Sequence, residues 1–223
     1  MDQTQLDQIR EYIIELLYLL PAIAISLSVH EFCHAYVATR LGDPTPKEDG
    51  RLSLNPLHHI DIVGFIVMIL VHFGWAKPVR VNPMFFENPR KGMMYTAIAG
   101  PIANFALGII SSLLYFFAFA FNLPFFIVGF FFYMTILNIG LAVFNLIPIA
   151  PLDGSRVMSY FFPRYASFMA QYGSIINIVF IALLILPDYL NIPDIFGIII
   201  GGAQSLGLSI LTGIWSLIFG FLI

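Results

Sequence analysis

The chain has 223 residues, of which 59% are apolar or aromatic and only 10% are charged. A soluble domain of this length needs a mixed charged surface, so the composition excludes one and points to a bilayer. The net charge of -3 comes with no basic arm, which excludes nucleic acid as a partner, and the single cysteine, Cys33, excludes an internal disulfide or a cysteine-rich metal cluster.

In chain order, the first apolar stretch runs from about Tyr12 to Thr39, with Pro21 as an expected kink. It lacks a basic start and a small-residue cleavage site, and is expected to be a retained helix rather than a removed signal peptide. Within it stands His30-Glu-Phe-Cys-His34, an H-E-x-x-H pattern. One helical turn separates the two histidines, so both imidazoles leave one face and can share a metal ion, with Glu31 beside it as general base. So short a pattern also arises by chance. Two histidines and a glutamate inside an apolar helix, however, cost roughly a few kcal/mol to insert when charged and are kept for function.

Two brief alternating runs follow, Gly50 to Pro56 and Lys77 to Pro83, each closed by Asn-Pro. They predict short strands that pair with each other at the membrane interface, since an open sheet edge is not tolerated against lipid. Between them lies Ile62 to Trp75, short for a full crossing. Full-length apolar segments are predicted at about Met93 to Phe121, Phe125 to Ile147, Phe168 to Leu186 and Ile195 to Ile223. The fold class is therefore an all-α polytopic membrane protein with about five transmembrane helices, a re-entrant segment and short interfacial β-strands.

Re-entry follows from charge. If Ile62 to Trp75 turns back, nine of the ten Lys and Arg residues share one side, which is then cytoplasmic; only Arg10 lies elsewhere. The N-terminus and the acidic turn Pro187 to Asp194 are outside, and the C-terminus is inside. This topology brings Asp153, in Asn145-Leu-Ile-Pro-Ile-Ala-Pro-Leu-Asp-Gly154, to the side where His34 sits. An Asp-Gly after a helix is commonly a turn, but a catalytic zinc takes three protein ligands and Asp153 can supply the third. Asn104 and Asn138 read as interhelical hydrogen bonds, His58, His59 and His72 as structural or interfacial, and Cys33 and the many phenylalanines as packing and lipid contact.

Taken together, His30-Glu31-x-x-His34, Gly50 to Pro56 through His59-Ile-Asp61 to Gly74-Trp-Ala-Lys-Pro78, Gly100-Pro-Ile-Ala-Asn104, Asn145-x-x-Pro148 and Leu152-Asp153-Gly154 resemble the site-2 protease family of intramembrane zinc metalloproteases in its compact form. The likeness covers about residues 20 to 165. Ile62 stands where a proline is expected in the family, as does Ala150. The resemblance implies Zn2+ held by His30, His34 and Asp153, Glu31 as catalytic acid/base, and Asn145 binding the substrate strand or the oxyanion. It implies a single membrane-embedded protease domain over 1–223, with a catalytic core of about 12–165, accessory helices of about 166–223 and no PDZ or CBS module. The expected substrate is a transmembrane protein; because the carbonyls of a helix are already bonded within it, the substrate is expected to unwind and add as a strand to Gly50–Leu54 or Lys77–Val81. Compactness points to a bacterial or archaeal cell membrane, and the basic residues to a site toward the cytoplasm. Two other classes stay open: a scaffold with a vestigial metal site, and a transporter, the latter disfavoured by the absence of repeated halves.

Overall fold

A computed structural model describes residues 3–64, 67, 74 and 76–222. In lipid an apolar run has no outside partner for its backbone and must close its own hydrogen-bond ladder as a helix. The helices are α1 (Gln3–Arg40), α2 (Thr45–Glu48), α3 (Pro89–Ala120), α4 (Phe125–Leu146), α5 (Asp153–Phe161), α6 (Pro163–Leu190) and α7 (Ile195–Phe219). Among the described residues five, α1, α3, α4, α6 and α7, are long and apolar enough to cross a membrane.

Local chemistry sets the ends. Asn88 accepts from the Lys91 N–H at 3.1 Å with Pro89 opening α3, and Asp194 accepts from the Gly197 N–H at 2.8 Å to open α7. α1 stops where Gly42 takes a φ of 105° and Asp43 N–H returns to the Ala38 carbonyl. α1 continues through Pro21, the position of the expected kink.

α3 and α4 pack along each other, α1 lies against both, and α7 covers an outer face of the same pair. α6 touches the rest chiefly through α5, with Phe180 wedged between the rings of Phe144 and Phe196. The inside of this bundle is polar and small. The largest fully buried side chains include His59, Asn104, Asn138, Thr96 and Thr135, whereas Phe, Leu and Ile line the outside. That inversion suits lipid, where small residues let helices approach and interhelical hydrogen bonds hold them.

The predicted interfacial strands do not appear among the described residues. One isolated antiparallel bridge, Ile60 to Ala76, joins the two runs, with the Lys77 N–H donating to the His59 carbonyl at 2.8 Å. The reason is that side chains take the ladder groups. Val79 N–H goes to Glu31 and Asn82 N–H to Asp43, while the Gly50 and Ser53 carbonyls accept from His58 and His59. Asn55 and Asn82 each cap a 3-10 turn, Pro56–His58 and Pro83–Phe85, in place of a strand end. Most of Ile62 to Trp75, including His72, lies outside the described residues, but its two flanks are hydrogen-bonded to each other. Arg80, bound through Nε to Asp49 at 2.8 Å, ties the flanks again and holds the Asp49 carboxyl below its ordinary value.

Asp43 is fully buried and accepts from the Thr45 N–H at 3.0 Å and the Asn82 N–H at 2.7 Å. Replacing it with alanine leaves two amides unpaired and is expected to cost about 2 kcal/mol. Limited proteolysis in detergent should then cut between residues 77 and 88 where the wild type resists.

Candidate metal centre

α1 presents His30 and His34, both buried, toward α3. His34 Nδ1 lies 2.7 Å from the Thr96 carbonyl. A carbonyl only accepts, so this nitrogen carries the hydrogen and Nε2 the lone pair. His30 is fixed by a longer chain of logic. Asn138 must turn its amide nitrogen to the Met134 carbonyl at 2.8 Å, so its oxygen faces Asn104 Nδ2 at 2.7 Å. Asn104 Nδ2 also donates to the Ser26 carbonyl at 3.2 Å, which leaves Asn104 Oδ1 facing His30 Nδ1 at 2.6 Å. His30 therefore donates through Nδ1 as well, and the two Nε2 lone pairs face each other across 2.9 Å.

The third member comes from another part of the chain. Asp153 opens α5, and its Oδ2 stands 3.2 Å from His30 Nε2 and 3.1 Å from His34 Nε2. α5 is anchored at its far end by Arg90 of α3, whose guanidinium donates to the Ser159 and Tyr160 carbonyls at 3.1 and 3.2 Å. At its near end Gly154 lies so close to the Leu146 and Ile147 carbonyls that a Cβ would overlap them. Gly100 plays the same part in α3: a Cβ there would sit 2.5 Å from His30 Cε1 and from His34 Nε2.

Two lone pairs and a carboxylate pointed at one another repel unless a cation lies among them. A tetrahedral ion with bonds of about 2.0–2.1 Å holds its ligands about 3.3–3.4 Å apart, and the observed 2.9, 3.1 and 3.2 Å are close to that. These three residues form the one group among the described residues with metal-ligand geometry. The Nδ1 hydrogen bonds are the kind that orient metal-binding imidazoles.

Glu31 is next to His30 in sequence and accepts the Val79 N–H at 3.0 Å through one oxygen. Asn145 donates to the Leu141 carbonyl of its own helix at 3.0 Å. It directly precedes Leu146 and Ile147, whose carbonyls crowd Gly154, yet no described contact joins it to the cluster. His58 and His59 bind the backbone of Gly50 and Ser53 at 3.0 and 2.6 Å, away from the cluster. The Asn104–Asn138 bond spans α3 and α4 as an interhelical link, but its service to His30 escaped sequence reasoning. One signal was present: Gly100 and Asn104 share the one-turn spacing of His30 and His34. The Thr96 carbonyl and Val79 amide are backbone groups and leave no mark in a sequence.

The chain is similar in sequence to known proteins. Residues 122–187 match the profile of Peptidase family M50. The chain is 39% identical over 177 residues to the "Putative zinc metalloprotease YwhC" of Bacillus subtilis (strain 168), covering 76% of this chain and 81% of that protein. It is 34% identical over 92 residues to the "Putative zinc metalloprotease Rip2" of Mycolicibacterium smegmatis, covering 39% of this chain and 35% of that protein. A zinc metalloprotease of Methanocaldococcus jannaschii is 27% identical over 136 residues, covering 60% of this chain and 31% of that protein. No solved structure matches the chain.

Asn104→Leu removes the acceptor that fixes His30 while keeping bulk between α1 and α3. Titration of the purified protein with a divalent ion is expected to show affinity reduced by roughly 10- to 100-fold, with helix content unchanged by circular dichroism.

Proposed function

The chain belongs to peptidase family M50, and from that membership we propose a zinc-dependent protease that hydrolyses peptide bonds within or beside the transmembrane segments of other membrane proteins. Family and helices together make it a multi-pass membrane metalloendopeptidase. The observation that carries the finer reading is the meeting of His30, His34 and Asp153, from helices distant in sequence, with their Nε2 and carboxylate atoms converging on one point.

In this proposal His30, His34 and Asp153 hold Zn2+, which when bound supplies a Lewis acid to the scissile carbonyl and makes water acidic enough to attack near neutral pH. Glu31 takes the proton from the attacking water at the oxygen that Val79 leaves free and returns it to the departing amine. The Val79 amide steadies the other oxygen and keeps the carboxylate aimed. Asn145 keeps a second amide hydrogen for the oxyanion, since only one is used on Leu141. Arg90, through α5, keeps Asp153 at the depth of the two histidines.

The substrate helix is the obstacle, because its carbonyls are already bonded within it. It unwinds and lies along the extended segments around Gly50–Leu54 or Lys77–Val81, recovering backbone hydrogen bonds there. The hydrogen bond from the Lys77 N–H to the His59 carbonyl keeps the two flanks on one side of the membrane. The basic residues on that side orient the site toward the cytoplasm of a cell membrane. Residues 1–223 act as one protease unit whose core is about 12–165; α6 and α7 are accessory, since neither contributes to the cluster.

Glu31→Gln keeps the size and loses the base. It is expected to retain zinc by elemental analysis and to lose cleavage of a transmembrane substrate by at least about 100-fold. Undiminished cutting would overturn the mechanism, and a wild type that binds zinc but cuts nothing would favour a scaffold. Val81→Pro, which removes an edge donor while sparing the Val79 amide, should lower cleavage and keep the metal; unchanged turnover would exclude docking at that edge.

A further inference from the structure

A groove of about 490 Å³ runs along the outer seam of α1 and α3. Its floor is made of small side chains, Cys33, Ala99, Ala103 and Ala106, and the remaining walls are mostly aliphatic. One end differs. Arg40, the last residue of α1, lines the groove there with its guanidinium 5.4 Å from the ring centre of Tyr36, and it donates through Nε to the Tyr36 hydroxyl at 3.1 Å. Across the seam the Lys91 ammonium lies 5.5 Å from the ring centre of Tyr95, another wall residue.

The two cations stand at one height. α1 and α3 run antiparallel and are pinned by the bond of His34 to Thr96. Arg40 is six residues beyond the first, about 9 Å, and Lys91 five before the second, about 7.5 Å. Neither meets a carboxylate among the described residues, where the Arg80–Asp49 pair is the only one between a basic side chain of this type and an acid. A pair of tyrosines at a helix boundary marks the level of lipid headgroups.

We propose that this groove seats an acyl chain of an anionic phospholipid whose phosphate is bound by Arg40 and Lys91. The argument is charge complementarity: apolar walls exclude a polar occupant along the length, and two unpaired cations at one end call for an anion there. A transmembrane helix would bring an apolar surface and no matching charge. The site lies on the lipid-facing seam of the helices that carry His30, His34 and Gly100, so its occupant braces α1 against α3 without touching the metal cluster. The inference is independent of the protease reading.

Two measurements on the full chain test it. Native mass spectrometry of protein extracted with mixed phosphatidylglycerol and phosphatidylcholine should show one phosphatidylglycerol retained in preference. Arg40→Ala combined with Lys91→Ala should weaken that binding roughly thirty-fold. Cys33, the only thiol, reports occupancy in the unaltered protein: a small apolar thiol reagent should modify it several-fold more slowly with phosphatidylglycerol than with phosphatidylcholine. Equal retention of the two lipids, or a preference that survives the double variant, overturns the proposal. So does thiol protection that follows protein concentration or an added substrate helix instead of the anionic lipid, because the occupant would then be a second copy or a peptide.

Discussion

The Nδ1 hydrogens of His30 and His34 are committed to acceptors on α3, and that commitment decides what the opposite nitrogens can do. With both lone pairs turned inward at 2.9 Å and the Asp153 carboxylate closing the triangle, the centre is an assembly of like-signed electron density. It is stable as drawn only around a cation. The folding of three helices thus brings these groups together before any ion arrives, and an ion held among them would tie α1 to α5. His34 takes its direction from the Thr96 carbonyl it meets, and His30 from a carbonyl far from it, answering to Met134 on α4 by way of two asparagines.

That dependence explains why the middle of the bundle is polar. In water the core would be filled with Leu and Phe, and polar groups would sit outside. Here the bilayer supplies the apolar surroundings, so the interior is free for Ser26, Thr135, Asn104 and Asn138, with glycines where backbones must come near. Such a core gains little from hydrophobic burial. It gains direction, because each amide has one orientation that satisfies its neighbours, and direction is what a metal site needs.

Much of this was legible in the sequence because membrane helices announce themselves by length and because a histidine pair one turn apart has few uses inside lipid. The five apolar helices, the meeting of His30, His34 and Asp153 and the bond between Asn104 and Asn138 all follow from side-chain identity. What was not legible concerns backbone groups. The strands expected at Gly50–Pro56 and Lys77–Pro83 failed to form a ladder since Glu31, Asp43, His58 and His59 took up the amides and carbonyls that alternation alone assigns to a neighbour strand. Their Asn-Pro endings were sound turn signals, but Asn55 and Asn82 turn into 3-10 helices.

Glu31 and the two histidines share a helix, yet they are governed from different places. The imidazoles take their aim from α3, whereas the carboxylate is steadied by the Val79 amide, two residues beyond the Lys77 that is bonded to His59. The aim of the His30–His34–Asp153 cluster and the aim of the Glu31 carboxylate are thereby separate inheritances of the chain. A change in the backbone around Val79 would redirect that carboxylate while the helices that bring the three residues together stay as they are.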